Sequence, residues 1–218
     1  MTVLAERKAH IFARQQHDHY VEPSWTSERL FDVEDFEQGS TILDPCCGWC
    51  RIPAAAARAG YRAIASDIVD RRASKTTFEF QTLNILAPQS DATYKWWRQA
   101  RSIVSNPPFD QICDVARRCC ALAEYKVALI CPLRRLPAAG SWLRDLPLSK
   151  VWIISPRPSM PTGDFIKAVA RGELDPKTGK PLKVSGGTVD FVWLIFEKSH
   201  RGPPTMDWLY RDAQDTSE

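Results

Sequence analysis

The chain has 218 residues, of which 44% are hydrophobic and 25% charged, with a net charge of +3; that is enough to bury one substantial α/β core and suits one domain better than two. No long uncharged apolar run occurs, and the segment Met1 to Lys8 lacks the apolar stretch of a signal peptide, so neither a membrane span nor secretion is expected and a cytoplasmic protein is. Seven cysteines, an odd number, argue for reduced thiols over a disulfide framework.

In chain order, helices are expected near 26–37, 50–59, 91–99, 110–123 and 133–145. Strands are expected near 40–44, 62–67, 77–81, 101–105, 125–131, 150–154 and 189–196. Strands alternating with Ala-rich or amphipathic crossovers imply a mostly parallel sheet covered on both faces. No internal repeat interrupts the alternation.

The first strand runs into Thr41-Ile-Leu-Asp-Pro-Cys-Cys-Gly-Trp-Cys50 and then an Ala-rich helix. Small residues at such a turn let a ligand approach the backbone, and the helix N-terminus behind it presents unpaired N–H groups. Asp67 closes the second strand, where a carboxylate is placed to take ribose hydroxyls. A zinc site at Cys46, Cys47 and Cys50 is not expected, because no fourth ligand stands at a recognisable spacing.

The fourth strand stops at Asn106-Pro107-Pro108-Phe109. Two prolines remove two backbone donors and fix φ, yet their carbonyls can still accept. An exocyclic amino group has two hydrogens to give, and the Asn106 side-chain carbonyl with the Pro107 carbonyl can take both. Phe109 then offers a flat face for a ring. The bland alternative is a proline-terminated strand end with a core Phe.

Together, Asp44-Pro-Cys-Cys-Gly-Trp-Cys50, Asp67 and Asn106-Pro-Pro-Phe109 resemble the S-adenosylmethionine-dependent amino-methyltransferases, specifically the DNA adenine-N6 methyltransferases whose cofactor motif precedes the catalytic one. Tyr20-Val-Glu-Pro-Ser-Trp25 is similar to the segment these enzymes place before the first strand. Ile154 to Pro161 and Gly186 to Phe196 resemble the compact phage or prophage type, so the likeness covers roughly residues 20 to 196. It implies a Rossmann-like class I methyltransferase fold: a seven-stranded, mostly parallel sheet with an antiparallel edge hairpin and helices on both faces. It implies S-adenosylmethionine as cofactor, held by Asp44, Pro45, Cys46, Gly48, Cys50, Asp67, Ile68 and Asn84, with Trp25 over its methionine end. Asn106, Pro107, Pro108 and Phe109 would be the catalytic residues, acting on a base flipped out of the DNA stack.

Two positions depart from the family pattern. Cys50 stands where Gly is usual, and Asn84 stands where an Asp commonly holds the cofactor's adenine amine; an Asn carbonyl can accept that bond without charge assistance. RNA, cytosine-N4 or a protein glutamine remain alternative acceptors, because the same pair of carbonyls holds any planar amino group. A nucleic-acid-binding relative with weak turnover is the non-enzymatic alternative.

Residues 167 to 183 carry five basic and two acidic residues amid Gly and Pro. This 167–186 segment is expected either as a solvated connection or as a mobile basic loop that contacts DNA phosphates through Lys177, Lys180 and Lys183, with Arg134, Arg135 and Arg157 adding to the surface. Residues 1–200 are expected to form a single methyltransferase domain with no separate target-recognition block. The tail, 201–218, is expected to be disordered.

Overall fold

The computed structural model describes residues 20–72, 76–184 and 186–212. Among these described residues, six α-helices and eight strands follow one another along the chain as α1 (Ser24–Val33), β1 (Thr41–Asp44), α2 (Arg51–Arg58), β2 (Arg62–Asp67), β3 (Glu79–Thr82), α3 (Asp91–Trp97), β4 (Ser102–Ser105), α4 (Ile112–Leu122), β5 (Lys126–Pro132), α5 (Leu136–Leu143), β6 (Leu148–Ser155), α6 (Gly163–Ala170), β7 (Phe191–Glu197) and β8 (Thr205–Tyr210). Every strand joins one sheet in the order β3-β2-β1-β4-β5-β7-β6-β8. All neighbours pair in parallel except β7, which runs antiparallel between β5 and β6.

Strand order reverses between β1 and β4, so the crevice beyond their C-terminal ends is where such a sheet binds ligands. β1, β4 and β5 are buried along their whole lengths, as expected for strands covered on both faces. One face packs Leu30, Phe36, Ile52 and Ala56 against Val104 and Trp193. The other packs Trp97, Val115 and Cys119 against Leu43, Ile103 and Leu129.

Local chemistry sets the helix ends. Helix α2 tolerates Pro53 because it lies in the first turn, where its missing N–H costs no bond. It stops at Gly60, whose φ of 88° lets Tyr61 N–H reach Ala56 O and Gly60 N–H reach Ala57 O. Helix α1 ends where Glu34 turns inward to Lys126 Nζ at 2.7 Å, Lys150 Nζ at 3.0 Å and Trp152 Nε1 at 2.9 Å. Burial pushes the Glu34 carboxyl up, but the bonds from Lys126 and Trp152 outweigh it and hold the group below its ordinary range.

Three expectations are corrected. The sheet has eight strands, because Thr205–Tyr210 of the expected disordered tail forms β8, pairing from Lys150↔Thr205 to Ser155↔Tyr210. The β6–β7 hairpin is consequently internal, and β8 is the edge. The segment between β6 and β7 holds α6, started by Thr162, whose hydroxyl accepts from Phe165 N–H at 3.3 Å. After α6 the chain forms a tight turn in which Asp175 N–H bonds Lys180 O and Leu182 N–H bonds Glu173 O, both at 2.8 Å. The N-terminal arm 1–19, residues 73–75, Ser185 and the last six residues lie outside the described residues. Among the described residues no helix is long and apolar enough to cross a membrane.

Candidate active site

The crevice is lined from three strand ends and from the segment before α1. Asp44 ends β1, Asp67 ends β2 and Asn106 follows β4. Ser105 Oγ donates to Asp44 Oδ1 at 2.7 Å and ties the tips of β1 and β4 together. The cleft is partly open to solvent and is lined by both polar and apolar groups.

The turn after β1 is held from below. Cys46 N–H donates to Asp44 Oδ1 at 3.1 Å, Cys47 N–H to Ser66 O at 3.1 Å and Gly48 N–H to Asp67 Oδ2 at 2.8 Å. Gly48 has φ 48° and Cys50 φ 62°. A left-handed residue is needed at both, and at position 50 a Cys takes the conformation that Gly adopts without cost. The other oxygen of Asp67 accepts from Val69 N–H at 3.1 Å and from Arg71 at 2.8 Å, so a ribose would share this carboxylate with protein donors.

The second half of the site is built on Asn106. Its Nδ2 donates to Tyr20 O at 3.0 Å and to Glu22 Oε2 at 2.8 Å. Two acceptors on one side of the amide identify that side as nitrogen and leave the carbonyl oxygen as the group to offer a ligand. Tyr20 and Glu22 are themselves fixed: Val21 N–H bonds Pro161 O at 2.9 Å, and Arg51 donates to Glu22 O at 2.7 Å. The 156–162 segment is in turn wedged by Gly187, where a Cβ would lie 2.1 Å from Pro158 O.

The cleft is acidic at its floor. Burial pushes the Asp44 carboxyl well above the ordinary range, against the bonds from Ser105 and Cys46, with the nearby Glu22 charge adding to the rise. Burial likewise raises Glu22, against the bond from Asn106. A positively charged ligand beside these two carboxyls would oppose the rise by favouring their ionised forms.

Of the residues expected to hold the cofactor, Asp44, Pro45, Cys46, Gly48, Asp67, Ile68 and Asn84 line the cleft. The Asn84 Oδ1 accepts from Leu86 N–H at 2.9 Å. Cys50 and Trp25 do not line it: Cys50 is buried behind the turn, and Trp25 is a core residue with 2% exposure. Asn106 and Pro108 of the Asn-Pro-Pro-Phe motif line the cleft, whereas Pro107 and Phe109 lie behind it. The Phe109 ring is buried, stacked on Tyr20 at 6.1 Å and tilted against Phe191 at 5.7 Å; it is not open to a ring ligand. Tyr20, which caps it, lines the cleft instead. Sequence reasoning also passed over Glu22, Cys47, Arg51 and Arg71, all on the cleft wall.

Of the expected basic residues, Arg134 and Arg135 follow the C-terminal end of β5 and Arg157 that of β6. Arg135 is paired with Asp110 at 2.7 Å, and Arg157 is paired with Asp190. Lys177, Lys180 and Lys183 are exposed on or beside the turn after α6, and Arg134 lies beside Arg135. Among the described residues no cluster of His, Cys, Asp or Glu is arranged to hold a metal.

No family model matches the sequence, and no curated protein matches it significantly. Solved structures do match the fold. A predicted O-methyltransferase from Agrobacterium tumefaciens is 13% identical, with 87% of this chain and 85% of that one covered and a TM-score of 0.54. Magnesium protoporphyrin IX methyltransferase from Synechocystis, solved with bound S-adenosylmethionine, is 13% identical over 81% of this chain and 79% of that one, TM-score 0.52. The methyltransferase subunit of a type I restriction-modification system from Streptococcus thermophilus is 9% identical over 89% of this chain, TM-score 0.53, and this chain spans about half of that subunit, 48%. The chain has a methyltransferase-like α/β fold with an eight-stranded, mostly parallel sheet.

Proposed function

We propose that the chain transfers a methyl group from S-adenosylmethionine to the exocyclic N6 amine of adenine in DNA. The observation that carries this is the Asn106 amide, locked by Glu22 and Tyr20 so that its carbonyl is the group presented to the cleft, next to a glycine turn and the Asp67 carboxylate. The residues fit the cofactor. A turn without a Cβ at Gly48 admits a close ligand, Asp67 suits ribose hydroxyls, and the acidic floor of Asp44 and Glu22 suits a cation.

S-adenosylmethionine supplies an electrophilic methyl group when bound. Adenine's amino lone pair is delocalised into its ring, so the nitrogen is a poor nucleophile while it stays planar. A hydrogen bond to Asn106 Oδ1 favours pyramidal nitrogen and aims its lone pair across the cleft. Tyr20, stacked on Phe109, lines the cleft with Asn106. Among the described residues that line the cleft there is neither His nor Lys; direct displacement of the methyl group calls for positioning and charge stabilisation more than for a strong base. The modification subunits of type I restriction systems among the structural neighbours support a DNA acceptor.

Incubating plasmid DNA, RNA and protein side by side with methyl-labelled cofactor tests the assignment. Label in DNA as N6-methyladenine is expected. Label confined to RNA or protein, or as N4-methylcytosine, would move the acceptor class.

A further inference from the structure

The turn that carries Gly48 is flanked by two thiols, Cys47 and Cys50, three residues apart with their sulfurs 3.4 Å from each other. Both are buried and reduced. Cys47 lies on the cleft wall, while Cys50 sits directly before α2 in the left-handed conformation that disfavours any side chain. The sulfurs need only close from van der Waals to covalent distance, by somewhat more than ~1 Å, to bond.

From this geometry we infer that Cys47 and Cys50 form a peroxide-sensitive dithiol switch that weakens cofactor binding when oxidised, an inference resting on the reading of the cleft as the cofactor site. The shared hydrogen bond holds the Cys50 thiol below its ordinary range, with the Arg72 charge helping against burial, and pushes Cys47 up. Cys50 stands directly before the N-terminus of α2, where the helix favours a thiolate, and this position makes it the attacking sulfur. Cys50 sulfur attacks one oxygen of hydrogen peroxide, the O–O bond breaks, and the departing hydroxide takes up a proton to leave as water. The Cys47 sulfur then displaces the hydroxyl from the Cys50 sulfenic acid, and its proton leaves in the second water. Two thiols lose two electrons and one peroxide gains them.

Closing this bond shortens the segment that carries Gly48 and shifts its N–H away from Asp67 Oδ2, to which it bonds at 2.8 Å. The same turn is the wall a cofactor rests on. By linkage, a bound cofactor must resist the oxidation as strongly as oxidation resists the cofactor.

The test is calorimetric S-adenosylmethionine binding to the full chain before and after limited peroxide, with alkylation and peptide mass mapping of all seven thiols. The expected result is a disulfide mapped to Cys47–Cys50, a Kd raised at least tenfold, equivalent to about 1.4 kcal/mol, recovery with dithiothreitol, and slower disulfide formation when cofactor is bound first. Cys47→Ser and Cys50→Ser should each show a Kd that peroxide does not move, whatever its own starting value. No disulfide at this pair in the folded protein, or a disulfide with an unaltered Kd, would overturn the switch alone. A reduced wild-type chain that binds no S-adenosylmethionine would overturn the reading of the cleft itself, and the switch with it.

Discussion

Glu22 and Asn106, 84 residues apart in sequence, meet at 2.8 Å, the Asn106 Nδ2 donating to the Glu22 carboxylate. Glu22 is buried and its own backbone is clamped by Arg51. This hydrogen bond orients the Asn106 amide, and under the proposed function it would make the segment before α1 a positioning element of the site.

Removing that acceptor should let the amide rotate. Glu22→Ala is expected to lower kcat by on the order of 10²-fold through misplacement of the acceptor oxygen. Glu22→Gln, which keeps a carbonyl for the amide, should recover much of the loss. Steady-state kinetics on DNA would check both, and equal damage in the two variants would make Glu22 a packing residue only.

At the cofactor end, Asp67→Ala should weaken S-adenosylmethionine binding by about 1–3 kcal/mol, since a charged acceptor is removed. Asp67 also holds Gly48 N–H and Arg71, so some of the weakening comes through the turn. Calorimetry reads it directly; an unchanged Kd would place the ribose elsewhere.

Burial raises both Glu22 and Asp44 above their ordinary values of 4.5 and 3.8. A carboxyl whose folded pKa exceeds its unfolded one adds stability that is fully present below the unfolded value and is lost as pH rises through the folded pKa. A cationic ligand reverses the preference by favouring the ionised forms. S-adenosylmethionine binding should therefore release protons and weaken as pH falls through the raised values. Calorimetry in buffers of different ionisation enthalpy counts the protons, and zero release throughout that window would remove these carboxyls from the cofactor's surroundings.

The exposed lysines after α6 provide a separate handle. Changing Lys177, Lys180 and Lys183 together to Ala should weaken DNA binding and flatten the slope of log affinity against log salt, by up to ~0.9 for each phosphate that is no longer neutralised, with cofactor affinity unmoved. A slope equal to that of the unaltered chain would leave this turn as a solvated connection and shift the DNA surface towards Arg134, Arg135 and Arg157.

Much of the scaffold was legible because its signals are local. Apolar runs ending in Asp44, Asp67 and Asn106 located three strand tips within a residue or two, and the Gly48 turn announced the crevice. What escaped depends on distant partners. Phe109 is buried because Tyr20 and Phe191 close over it, and Trp25 because the core on its face of the sheet encloses it; neither arrangement is written near those residues. Strand β8 turns Met206, Trp208 and Tyr210 outward with only Leu209 fully inside, so it lacks the inward apolar alternation of a typical strand. Helix α6 was legible and passed over: Thr162 before Gly-Asp-Phe is a cap signal, masked by the basic residues that follow.

The most direct test of methyl transfer by the Asn106 carbonyl is nucleoside mass spectrometry of DNA from cells expressing the chain or its Asn106→Ala variant at equal soluble levels. N6-methyladenine should appear with the unaltered chain and fall by on the order of 10²-fold or more with the variant, whose S-adenosylmethionine affinity stays close to the original. N6-methyladenine produced equally by both would contradict the assignment of Asn106, and none produced by either would contradict adenine in DNA as the acceptor.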